Sequence, residues 1–180
     1  MTTRMSASGL FLTAVVAQVA LALPAATLAN AADDLPKESV LPLSMAGKAA
    51  QAAMEACKKD GYRVSVSVVD RAGVLRTMSR ADGAGPHTVE SSGKKAYTAA
   101  SLRRPTTELA ELINKVTTLQ ALREMNDHIL MLGGGLPIEI GGDVVGGIGV
   151  GGAPGAHLDD ACAQAGLDAI GAAPKVPTAK

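Results

Sequence analysis

Residues 129–165 read ILMLGGGLPIEIGGDVVGGIGVGGAPGAHLDDACAQA and carry eleven of the chain's 20 glycines. Glycine at that density disfavours a long helix and suits strands joined by tight turns. Leu136–Ile140 and Val144–Val150 flank Gly141-Gly142-Asp143, a short Gly/Asp turn between two apolar runs, which is a hairpin signal. The whole stretch reads as strand, turn, strand, turn, strand, loop, helix, with Ile129–Leu132 as the first strand. Alternation along the third strand puts Val144, Gly146, Ile148 and Val150 on one face. Val145, Gly147, Gly149 and Gly151 fall on the other. One face is aliphatic and the other nearly bare backbone, so a helix or a planar ligand can approach it closely; the helix is the commoner occupant.

Gly147-x-Gly149-x-x-Gly152 matches a dinucleotide-binding fingerprint, and a helix follows it. That fingerprint needs a βαβ unit whose next strand ends in an acidic residue, and the sequence stops one helix later. The dinucleotide reading is rejected. A phosphate-binding P-loop is rejected too, because no Gly-Lys-Ser/Thr stands at the required distance.

Residues 1–31 read as a secretory signal peptide: Arg4 supplies the charge, Gly9–Leu23 the apolar core, and Ala29-Asn30-Ala31 the cleavage site. Cleavage after Ala31 predicts a periplasmic or secreted protein with no stable membrane anchor. It leaves 149 of the 180 residues, enough for one domain. The mature chain loses Phe11 and Arg4, so it has no Phe or Trp, only Tyr62 and Tyr97, and 16 basic against 17 acidic residues. Without a basic excess or an aromatic platform, nucleic-acid binding has no support. The core must come from Val, Ile, Leu, Met and Ala, and such small side chains call for close packing of elements.

Residues 32–42 form a Pro-interrupted leader. Ser44 is the expected N-cap of a helix from Met45 to about Lys59, stopped at Gly61. Tyr62–Val69 alternates Val64, Val66 and Val68 against Arg63, Ser65 and Ser67, the pattern of a half-buried strand. A turn at Asp70–Gly73 returns the chain along Val74–Arg80, and the loop ADGAGP (Ala81–Pro86) leads to a helix capped by Thr88. Short helices are expected from Thr106 or Thr107 to Ile113 and from a capping box at Thr117 and Gln120 to about Met125. A last helix spans Leu158–Ile170, and residues 172–180 read as a flexible tail. This order predicts a single α+β domain, residues 43–171, with a central antiparallel sheet of about five strands flanked by helices.

Few residues are equipped for chemistry. Cys57 and Cys162 lie on the apolar stripes of the first and last helices. Spacing leaves two readings open: a disulfide, which an oxidising compartment favours, or two buried thiols. His87, His128 and His157 show no spacing for a tight metal site. His87 is the candidate ligand-binding and metal-ligating residue, because it opens a helix after an exposed glycine-rich loop. Arg80, Asp82, Thr88 and Tyr97 complete the candidate binding set; the plain alternative for Arg80 and Asp82 is a structural ion pair. Neither a Gly-x-Ser-x-Gly elbow nor a paired-carboxylate constellation is present, so no residue is assigned a catalytic role.

Ser-Val-Val-Asp70-Arg-Ala-Gly73, followed by Arg80-Ala-Asp82-Gly83-Ala84, resembles the GlcG/HbpS family of haem-binding, haem-degrading-type domains. So do Lys95-Ala96-x-Thr98-Ala99, Gly133-Gly-Gly-Leu-Pro-Ile138, Gly142-Asp-Val-Val-Gly146 and Asp160-x-Cys-Ala-x-Ala-Gly166-Leu. The match runs from about Leu43 to Ile170, and the PduO C-terminal domain is similar in type. The resemblance implies a profilin-like domain and a homo-oligomer. It also implies a tetrapyrrole ligand, with roles in haem storage, sensing or iron handling. Any haem would be non-covalent, since no CxxCH motif exists; Met78, Met125 and Met131 are further soft ligands or pocket lining. Two other functions fit the residues: an enzyme or accessory protein for a small organic acid that Arg80 would clamp, and a structural oligomeric module without ligand.

Overall fold

The computed structural model describes residues 1–2 and 35–173; apart from its first two residues the expected signal peptide lies outside these, as does the expected tail from residue 174. The chain divides into two units, Met1–Lys37 and Glu38–Lys180, and every helix and strand named here belongs to the second. They are α1 (Leu43–Lys59), β1 (Ser65–Asp70), β2 (Leu75–Arg80), α2 (His87–Leu102), α3 (Thr106–Lys115), a 3-10 helix (Thr117–Glu124), β3 (Gly135–Ile140), β4 (Asp143–Gly151) and α4 (Ala156–Ile170). No described helix is long and apolar enough to cross a membrane.

The strands form one antiparallel sheet in the order β2-β1-β4-β3. The α+β expectation holds, with four strands instead of about five. Ile129–Leu132 is irregular, because its backbone bonds elsewhere: the Leu130 N–H donates to the Thr98 hydroxyl of α2 at 2.8 Å. The free edge of β3 is partly taken by a bridge from Glu139 to Ala173, which draws the first residues of the expected tail onto the sheet. At the other end of the domain Leu41, from the expected leader, is buried in the core.

Helices α1 and α4 cover one face of the sheet. Their Ala46, Ala49, Ala53, Ala163 and Leu167 enclose Val66, Val68, Ile148 and Val150 in the main core. The other face is the bare one, and α2 occupies it. A Cβ at Gly147 would collide with the Ala96 carbonyl oxygen, and one at Gly149 with that of Ser92. Glycine there lets helix and sheet backbones touch. Two details depart from simple alternation. Ile138 pairs with Gly146 and Glu139 with Val144, so Val145 is the extra residue of a bulge and joins the main core instead of the glycine face. Strand β1 is buried on both faces, because α2 also covers Ser65 and Ser67; their hydroxyls bond Thr88 Oγ1 at 2.7 Å and Ser92 Oγ at 2.8 Å.

The expected hydroxyl caps are absent. Pro42, Pro86, Pro105 and Val116 hold the cap positions, none with a side-chain cap bond. Thr88 and Thr106 spend their hydroxyls on tertiary contacts, Thr106 with the Gly135 N–H at 2.8 Å. Cys57 and Cys162 form a disulfide between α1 and α4, with Cα atoms 5.5 Å apart.

Candidate functional site

The loop Ala81–Pro86 turns the chain from β2 into α2, and two arginines are held by it. Arg80 folds back so that its Nε donates to the Ala84 carbonyl oxygen at 3.0 Å, and its Nη2 donates to the same atom. Arg63, just before β1, lies over Gly83: a Cβ on that residue, whose φ is +76°, would stand 2.9 Å from the Arg63 Nη1. Lys58, from the last turn of α1, completes the ring of charge. The three cations line a half-open groove of about 490 Å³ with Met54 and Tyr62 as apolar wall and Asp82 as its one acidic residue. Arg80 makes no ion pair with Asp82, and none of the three cations belongs to an ion pair found among the described residues.

The other candidates lie along α2. His87 is exposed at its first position, beside Gly85, where a Cβ would press to 2.5 Å from the ring's Cε1. Thr88 is buried, with its hydroxyl bonded to Ser65 and to the Gly85 carbonyl. Tyr97 sits ten residues beyond His87, roughly 15 Å along the helix axis, against the turn glycine Gly73 and the ring of His128, whose centroid is 5.2 Å away. The structure thus gathers Arg80 and Asp82 at one groove, puts His87 across the adjoining loop, and leaves Tyr97 in the second half of α2, against Gly73.

Between those ends runs an exposed apolar strip. Leu75 pairs with Val69 and Met78 with Ser67, both on the α2 side of the sheet, so Leu75 and Met78 face that side as well. They are 56% and 41% exposed. Gly93 of α2 has nothing closer to a built Cβ than Ser67 Oγ at 4.0 Å, and Val89 and Tyr97 lie one turn before and after it. The strip is flat because its centre lacks a side chain.

A buried polar network lies where α2, α3, β3 and α4 meet. Lys95 Nζ donates to Asp159 Oδ2 and to the Val150 carbonyl, each at 2.8 Å. The Ala153 N–H donates to Asp159 Oδ1 at 3.0 Å, and the Gly134 N–H to Asp160 Oδ1 at 2.6 Å; the Thr107 hydroxyl also donates to Asp160. Burial pushes the Asp160 carboxyl above its ordinary pKa, and the Thr107 and Gly134 bonds offset part of that rise. Lys95 and Asp159 are only 2% and 4% exposed, so the pair clamps elements together out of reach of a ligand.

Sequence reasoning did not single out Lys58, Arg63, Met54 or Tyr62 as a group. Arg63 reads there as an outward strand residue, and no local spacing signals that these four residues converge. Among the described residues no group of three or more His, Cys, Asp or Glu side chains is placed to hold a metal ion.

Comparison with known proteins adds three relatives. A structure of HbpS from Streptomyces reticuli, a double mutant, is 44% identical; the match covers 75% of this chain and 90% of that one, with a TM-score of 0.70. The structure of a PduOC:haem complex is 26% identical, covering 75% of this chain and 98% of that one, also at 0.70. GlcG of Escherichia coli K12 is 33% identical over 111 residues, 62% of this chain and 81% of GlcG. The family described as "Haem degrading protein HbpS-like" matches residues 41–168, nearly all of the folded unit, and the chain belongs to that family.

Proposed function

We propose that this is an exported, non-covalent haem-binding protein that assembles as a homo-oligomer and serves haem or iron handling. The observation that carries the reading is the match to the PduOC:haem complex over 98% of that chain, within a family where HbpS is 44% identical. The residues present suit a tetrapyrrole. The strip of Leu75, Met78 and Gly93 offers a flat apolar surface, and His87 supplies an exposed imidazole at its amino-terminal end. Tyr97 closes the opposite end. Bound haem would supply the iron; the chain's part is to cover its apolar face and to hold the metal through His87. Export is supported by the signal-like residues 1–31 and by the Cys57–Cys162 disulfide, a bond of oxidising compartments. Outside the strip, exposed Val116, Met125 and Leu132 leave apolar area for contact between copies.

The test is a hemin titration of protein recovered from a periplasmic extract, with its first residue and its mass in solution determined on the same sample. The expected outcome is a chain beginning at Ala32, larger than a monomer, with a sharpened Soret band that saturates at a fixed fraction per subunit. His87→Ala should weaken the binding by about tenfold or more and shift the band. A band that grows without saturation would mean adsorption and would remove the haem reading; an unchanged spectrum and affinity in His87→Ala would remove His87 from the site.

A further inference from the structure

We infer that the groove between the end of α1 and the end of β2 is a binding site for a small carboxylate with an apolar body, separate from the haem strip. Arg80 is fixed by two bonds to the Ala84 carbonyl, and Arg63 is laid across Gly83 of the same loop. Guanidinium groups match the planar fork of a carboxylate, and Arg80, already held by the Ala84 carbonyl, loses little freedom on binding it. Lys58 adds a third positive charge, Asp82 is the one acidic group in the lining, and none of the three cations is in an ion pair found among the described residues.

Three cations facing one groove without a paired carboxylate repel one another in the empty protein, and an anion relieves that repulsion. The volume of about 490 Å³ is that of a small-molecule site. Met54 and Tyr62, both half-buried, form a wall that favours an organic acid over a bare inorganic ion. The proposal does not depend on haem binding. Its residues come from α1, the segment before β1 and the end of β2, whereas the strip joins Leu75 and Met78 of β2 to Gly93 of α2. Met78 lies two residues before Arg80, so the two sites adjoin at that strand and are distinguished by their chemistry, cationic against apolar.

The experiment is a titration of the full mature chain with benzoate, succinate and inorganic phosphate, followed by backbone amide and arginine side-chain NMR signals. Saturable shifts with a carboxylate, centred on Lys58, Tyr62, Arg63 and Arg80 and absent from Leu75 and Gly93, are expected. Arg63→Gln should reduce the affinity by about tenfold, and Arg80→Lys, which keeps charge but loses the fork, should also weaken it. Arg63 is exposed and makes no hydrogen bond found among the described residues, so its replacement leaves the fold intact even if Arg80 proves necessary for the loop. No saturable shift with either carboxylate below about 10 mM, phosphate binding alone, or affinity unchanged in Arg63→Gln would each overturn the proposal. Displacement of the bound carboxylate by hemin would overturn the separation of the two sites. A chain that binds benzoate but not hemin would retain the groove and lose the haem reading.

Discussion

Asp160 stands at 6% exposure in the first turns of α4, where its two oxygens accept bonds from Gly134 and Thr107. Burial raises its folded pKa above the ordinary 3.8, so the folded state binds the proton more tightly than the unfolded chain. By linkage, stability is then greatest below about 3.8 as far as this group is concerned, and it is lost as pH rises through the folded value. Asp160→Asn keeps an acceptor for Gly134 and removes the ionisation. Urea midpoints measured from pH 3 to 7 should therefore fall with rising pH less steeply in Asp160→Asn than in the parent; identical slopes would show that folding does not shift the pKa of this carboxyl. The sequence marks Asp160 as the first residue of a family motif, Asp160-x-Cys-Ala, and assigns it no role. Its burial depends on Gly134 and Thr107, which lie 26 and 53 residues earlier in the chain.

At the scale of elements, the contact that decides the architecture is α2 against the glycine face of β4. Alternation along residues 144–151 announces a face without side chains, and the partner that covers it is a helix from much earlier in the chain, α2. Gly149→Ala would drive a methyl group into the Ser92 carbonyl, a backbone atom that cannot swing aside. We expect a loss of about 1–3 kcal/mol in stability. Faster amide exchange in α2 should accompany it, measured by hydrogen exchange, while α1 and α4 keep their protection. A uniform loss of protection across all helices would mean that α2 is not a separable layer. The strands themselves were readable because their period is two, and the helices because small residues recur on one side. Caps were misread at Ser44, Thr88 and Thr117. Proline or valine fills those cap positions, and Thr88 finds a better partner in Ser65, across the space between helix and sheet.

For the molecule as a whole, the disulfide spans 105 residues and fastens the first helix to the last. Closing so long a loop restricts the unfolded chain by an amount on the order of 4 kcal/mol in the chain-entropy account. Reduction under denaturant titration should lower the unfolding free energy by about 2–4 kcal/mol, and Cys57→Ala should match the reduced parent. An oxidised and a reduced protein of equal midpoint would show that packing of α1 on α4 already supplies the restraint. The α1 side of that packing is alanine (Ala46, Ala49, Ala50 and Ala53) and the α4 side includes Ala163 and Gly166, small residues with limited apolar area each, which is why a covalent tie is expected to matter here.

The sequence by itself determined the α+β class, the hairpins around Asp70–Gly73 and Gly141–Gly142, the bare face of β4 and the family. Each of these is written in local periodicity, turn chemistry or ordered short motifs. Tertiary structure decided which side of the sheet each helix covers, that Ile129–Leu132 bonds to α2 instead of adding a fifth strand, and that Cys57 and Cys162 meet. It also decided that Lys58, Arg63 and Arg80 share one groove. Those outcomes depend on distances between residues remote in the chain, and local pattern carries no information about such distances until the sheet order β2-β1-β4-β3 has set β1 beside β4.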